Sequence, residues 1–111
     1  MSTASRGRAR EYQVRDHMAA QGWRPIMRAA ASKGSADLLL AHPEHGAALV
    51  QVGVGSKFLS FNDRTRFFHD AELCGALAIL ATVVPVPGKP TIFRYWRVTL
   101  GTASTWEQWR P

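Results

Sequence analysis

The sequence has a single cysteine, Cys74, which excludes an intrachain disulfide framework and the paired-cysteine zinc patterns. Acidic residues are also scarce, with 8 Asp and Glu against 14 Lys and Arg. No stretch approaches the ~20 apolar residues of a membrane-spanning helix. The Ser- and Arg-rich N-terminus lacks the apolar core of a secretory signal. A cytosolic protein with no membrane partner is the expectation. What is present fits one domain over residues 1–111: 46% hydrophobic residues and four Trp are enough for a modest core. The apolar surroundings of Cys74 read as those of a buried structural thiol.

The excess of positive charge is unevenly placed. Arg6, Arg8, Arg10, Arg15, Arg24, Arg28 and Lys33 face only Glu11 and Asp16 in residues 1–35, which therefore carry +5 of the net +6. A basic N-terminal third, in a chain of pI near 10.5, suggests a polyanionic partner, most simply nucleic acid.

Residues 1–6 are small and polar and read as a loose tail. From Gly7 to about Gln21 the pattern is helical, with Gly22 as the C-terminal stop. Val14 and Met18, at i and i+4, mark the buried face, and Glu11 borders it. A carboxylate there needs a partner, which is either a surface arginine (Arg8 or Arg15) or a metal ion. Residues 23–30 read as a first strand, confined to a sheet edge by Pro25.

The stretch from Ser32 to Lys57 organises the rest. It reads as two strands, 36–41 and 48–54, joined by the turn H-P-E-H-G. Asp37 opens the first strand. Gln51 sits midway along the second, sharing a face with Gly53, while Val50, Val52 and Val54 share the other. An Asp and a Gln brought together in this way are oxygen donors suited to a divalent cation. His42, Glu44 and His45 in the turn form a second conceivable metal cluster, although solvated turn residues are the simpler reading.

Ser60 then reads as the N-cap, with Asp63 three residues on, of a helix running to about Cys74. Its buried stripe is Phe67, Ala71 and Cys74. The apolar run 76–84 suits a central strand covered on both faces. A last strand, 92–100, puts Phe93 and Tyr95 on one side and Arg94, Trp96 and Val98 on the other. If it lies at a sheet edge, its Trp and Arg are a candidate dimer or DNA surface. Trp106 and Trp109, in a C-terminal extension over 101–111, either cap the core or reach a partner. The element order is αβββαββ: an α/β fold with a mixed sheet of about five strands flanked by helices.

R-G-R-A-R-E in the first helix, R-A-A-A-S-K-G-S-A-D ahead of the second strand and V-Q-V in the third resemble the archaeal-type Holliday-junction resolvases of the PD-(D/E)xK nuclease superfamily. The resemblance runs from Arg6 to about Val98 and implies a restriction-endonuclease-like fold. Small chains of this kind also occur in viruses of bacteria, which would place the protein in the host cytoplasm or nucleoid. It further implies a homodimer that cuts two strands of a four-way DNA junction, with Mg²⁺ (or Mn²⁺) as cofactor. Carried over residue by residue, Asp37 is the principal metal ligand, Gln51 the second ligand through its amide oxygen, and Glu11 the helix carboxylate that completes the site. Ser32 lies in the loop that approaches the scissile phosphate. Arg6, Arg8, Arg10, Arg15, Arg28 and Lys33 are the expected DNA contacts.

This chemistry suits the residue types. Phosphodiester hydrolysis needs an activated water and stabilisation of charge developing on the phosphate, and oxygen ligands suit Mg²⁺ or Mn²⁺. Selectivity for branched DNA would come from shape and dimer geometry rather than base reading. The sequence departs from the family at one position: Gly53 stands where the catalytic lysine is expected. Lys57 and Lys33 are the candidate substitutes. Lys57 lies about 13 Å further on if the chain stays extended, so it serves only if the chain turns at Gly55. Two other readings follow from that departure: a junction-binding protein with lost or reduced nuclease activity, and a non-catalytic module docking through its Trp-rich C-terminal region.

Overall fold

The computed structural model describes residues 3–28, 36–54 and 57–111. Ser32 and Lys33 lie outside the described residues, as does the side chain of Arg6. Helix α1 (Thr3–Ala19) is followed by β1 (Arg24–Arg28), β2 (Leu38–His42) and β3 (Gly46–Val54). Helix α2 (Phe61–Leu73), β4 (Ala76–Val84) and β5 (Ile92–Arg97) come next, then a short 3₁₀ turn and β6 (Gln108–Trp109).

The strands form one six-stranded sheet in the order β1-β2-β3-β4-β5-β6. Only β3 and β4 run parallel, because α2 carries the chain from the end of one back to the start of the other; every other pair is antiparallel. The sequence order αβββαββ is borne out, and a sixth strand is added. Strand β1 takes the edge place that Pro25 predicts, with a register irregularity between Pro25 and Met27.

Each face of the sheet carries its own core. On one face Val14 and Met18 of α1 pack with Leu38, Leu40, Val50, Ile79, Ala81, Val83 and Tyr95. On the other, Phe67 and Ala71 of α2 pack with Ala78, Leu80, Val98 and Trp106. The protein is thus a three-layer α/β/α sandwich. Helix α1 begins at Thr3, where composition suggests a loose tail, and holds the sheet through Val14 and Met18, both fully buried. Burying such side chains stabilises by about 1.5–3 kcal/mol each, so α1 is anchored by its second half and projects its Arg-rich first half. Strand β4 is covered on both faces, as its unbroken apolar run demands.

Helix α2 starts as its sequence requires, with the Asp63 N–H donating to Ser60 Oγ at 3.2 Å. Its buried stripe ends one turn early. Phe67 and Ala71 are buried, but Cys74 is exposed. Cys74 occupies the C-cap, and Gly75, at φ +63°, turns the chain into β4 before another helical turn can pack.

The C-terminal extension closes the sheet. Because β6 pairs with β5 at Tyr95 and Trp96, that part of β5 is an inner strand and Trp96 is not on an edge. Trp106 enters the α2-side core, its Nε1 donating to Gly101 O at 3.0 Å, while Trp109 packs on the α1 side against Trp23 and Tyr95. An odd spacing along extended chain sends the two rings to opposite faces, so both cap the core.

Candidate functional site

The β2 ladder ends at Leu38, and Asp37 prolongs it. The Asp37 N–H donates to Val50 O at 2.9 Å, and Asp37 Oδ2 accepts the Val52 N–H at 2.8 Å. Its side chain therefore stands in for the next carbonyl of the ladder, which fixes the carboxylate beside Gln51. The second oxygen, Oδ1, has no partner among the described residues, and no basic side chain there pairs with the carboxylate.

Gln51 projects from the α2 side of β3, since Val50 and Val52 belong to the α1-side core and Leu49 to the other. Gly53 follows on the same face; a Cβ there would lie 3.7 Å from Leu80 Cδ1, an ordinary contact. Asp37 thus lies beside Gln51 towards one end of the sheet, with Gly53 one repeat further along the same face of β3.

Glu11 lies on α1. Its carboxylate has a partner on β1: Arg28 Nη1 donates to Glu11 Oε1 at 3.1 Å, between side chains 28% and 14% exposed. The hydrogen bond to Glu11 also raises the Arg28 pKa. Tyr12 lies under two guanidiniums, those of Arg15 at 4.7 Å and Arg28 at 5.4 Å from its ring centre. Arg15 also pairs with Asp16 at 2.8 Å. The expected DNA contacts Arg8, Arg10, Arg15 and Arg28 therefore all belong to the α1 side of the sheet, and Arg15 and Arg28 each share their charge with a carboxylate.

Lys57 does not return to Gly53. Its ammonium lies 4.3 Å from the ring centre of Trp96 on β5, two strands from β3. The histidines of the β2–β3 turn are used structurally. The Glu44 N–H donates to His42 Nδ1 at 3.0 Å, and both His42 and His45 pack on Trp23. Among the described residues no group of three or more His, Cys, Asp or Glu side chains is disposed to hold a metal ion.

The donor set at Asp37 nevertheless fits a hard divalent cation. Mg²⁺ is commonly held by one or two carboxylates, with water and substrate phosphate completing the shell. Asp37 offers an oxygen without a donor among the described residues and Gln51 a neutral amide oxygen, whereas Glu11 is held by Arg28 on the α1 side and is not brought to them. Burial raises the Asp37 pKa above its ordinary 3.8, with the Val52 N–H acting in the opposite sense. The folded protein therefore binds this proton more tightly than the unfolded chain does. The resulting stabilisation is complete below about pH 3.8 and is lost as the pH rises through the raised folded value. At neutral pH an ionised, half-buried Asp37 is a cost that a cation relieves. Asp37→Asn keeps an acceptor for Val52 and should be more stable than the parent protein at pH 7. That gap should close under acid conditions, as denaturant titrations at the two pH values would show.

The architecture is a mixed sheet with one parallel pair bridged by a helix and flanked on both faces, with Asp37 and Gln51 side by side near one end. Among solved structures, the chain is similar to Archaeoglobus fulgidus Hjc, a Holliday junction resolvase from an archaeal hyperthermophile. The TM-score is 0.65 at 18% identity, covering 83% of this chain and 72% of that one. No protein-family model and no curated protein matches the sequence.

Sequence reasoning missed two features of this site. Arg28 as the partner of Glu11 depends on α1 folding back over β1. The position of Arg94, in register with Gly53 through Thr82, depends on pairings between strands far apart in the chain. No local pattern marks either.

Proposed function

We propose that this chain is a divalent-metal-dependent endonuclease that acts on branched DNA, resolving four-way junctions as a homodimer. The observation that carries the reading is Asp37: a half-buried carboxylate whose second oxygen has no partner among the described residues, beside Gln51, on a fold similar to that of a junction resolvase. Asp37 and Gln51 would hold Mg²⁺ or Mn²⁺, with water and substrate phosphate completing the shell. Such an ion supplies Lewis acidity at a phosphoryl oxygen and lowers the pKa of water. The protein's own part is to fix the Asp37 carboxylate through Val52 and to bind the DNA backbone electrostatically. The basic first half of α1, with its net positive charge, contributes long-range attraction.

A second reading is favoured by one observation. At Gly53 no side chain is present to orient water or steady the phosphate, and Lys57 is stationed on Trp96 instead. The same fold would then bind junctions while cutting them slowly or not at all.

The test combines a synthetic four-way junction with Mg²⁺ or Mn²⁺ and a parallel thermal melt. The nuclease reading expects symmetric nicked duplexes that EDTA suppresses, and a metal-dependent rise in melting temperature that Asp37→Asn abolishes. Metal stabilisation and junction binding without cleavage would select the binding reading. Neither metal stabilisation nor junction binding would sink both.

A further inference from the structure

The sheet register places two more cations on the face that carries Gln51 and Gly53. Gln51 pairs with Leu80, and Leu80 with Trp96. One row of side chains on the α2 side therefore runs from β3 across β4 to β5, with Asp37 beside its β3 end. Gly53 pairs with Thr82, and Thr82 with Arg94, making the next row on the same face. Thr82 is buried and its hydroxyl donates to Arg94 O at 3.3 Å, which ties the two strands together at this point.

The two cations at the β5 end differ from those on the α1 side. Lys57 is held by the face of Trp96, at 4.3 Å, an interaction that positions an ammonium without cancelling its charge. Arg94 is exposed, and its guanidinium makes neither ion pair nor side-chain hydrogen bond among the described residues. Arg28 and Arg15, by contrast, are each paired with a carboxylate. Two uncompensated cations thus stand two strand spacings, about 10 Å, from the strand that carries Gln51 and Gly53.

We infer that Lys57 and Arg94 form a phosphodiester-binding site on β5. It grips the backbone of the DNA strand next to the phosphate at Asp37 and Gln51, and so sets the direction in which that strand crosses the sheet. The inference rests on the nuclease or junction-binding reading and adds a substrate-positioning site to it. A phosphate is the ligand that the chemistry selects: one ammonium and one guanidinium, neither paired with an anion among the described residues, on an open face. They do not replace the lysine missing at Gly53, because they lie too far across the sheet to reach the same phosphate.

The experiment measures binding of a four-way junction and of a duplex across a salt series, for the parent protein, Lys57→Gln/Arg94→Gln and Arg97→Gln. Arg97 lies on the same strand but faces the other side of the sheet, with Tyr95. Its variant controls for the loss of one positive charge in general. Each phosphate contact removed should lower the slope of log affinity against log salt by about 1. The double variant should therefore lose about two units of slope, and Arg97→Gln much less. If the parent protein binds DNA but the double variant keeps the parent slope, this site is wrong while the parent reading survives. If the parent protein binds no DNA, the reading itself fails and the site with it. Circular dichroism of each variant separates lost contacts from lost folding.

Discussion

Gly53→Lys is expected to raise metal-dependent cleavage of a four-way junction on the order of a hundredfold, the effect typical of one charge-stabilising group at a reacting centre. The strand has room for the change. A Cβ at Gly53 would meet Leu80 Cδ1 at 3.7 Å, and Gly53 lies within the regular β3–β4 pairing. A lysine there projects from the face that carries Gln51, one strand repeat further along. It also removes the entropic penalty of glycine in a strand, so the variant should gain stability of roughly 0.5–1 kcal/mol. Initial rates of nicking with Mg²⁺, set beside a denaturant titration, report the two effects separately. A variant that is more stable and binds the junction, yet cuts no faster, would mean that Gly53 does not face the reacting phosphate.

On the nuclease reading, Asp37→Ala should abolish cleavage and leave junction binding largely intact, because it removes the proposed metal ligand and no phosphate contact. The same change strips the acceptor from the Val52 N–H, which costs about 1–3 kcal/mol of stability if that donor stays unsatisfied. Asp37→Asn separates the two roles: it retains an acceptor and loses the anionic ligand. It should fold well, bind the junction and fail to cut. Cleavage by either variant at the parent rate would move the metal site away from Asp37.

Much of the architecture was readable because it is local. The Ser60–Asp63 cap, the apolar run of β4 and the alternation of β3 each depend on neighbours a few residues apart. The edge position of β1 follows from a single proline that cannot donate to a ladder. Asp37 and Gln51 were legible as partners for the same reason, since a tight turn between two strands brings their ends into register. The errors came from longer-range effects. Cys74 has the spacing of a buried residue, but Gly75 ends the helix before that turn packs. Strand β6 is two residues long, too short to show a period, and exists because Trp109 and Trp106 find opposite cores to fill.

By itself the sequence determined the element order, the basic N-terminal third and the face of β3 on which Gln51 stands. Those depend on side-chain period, charge and turn chemistry, which a short window of chain contains. Only the tertiary structure decided which charges remain available. It pairs Glu11 with Arg28, carries Lys57 to Trp96 rather than to Gly53, and sets Arg94 in register with Gly53. Each of these outcomes joins residues from elements distant in the chain. Which cation meets which anion is settled by how the helices lie on the sheet and how the strands register, and no local propensity encodes that.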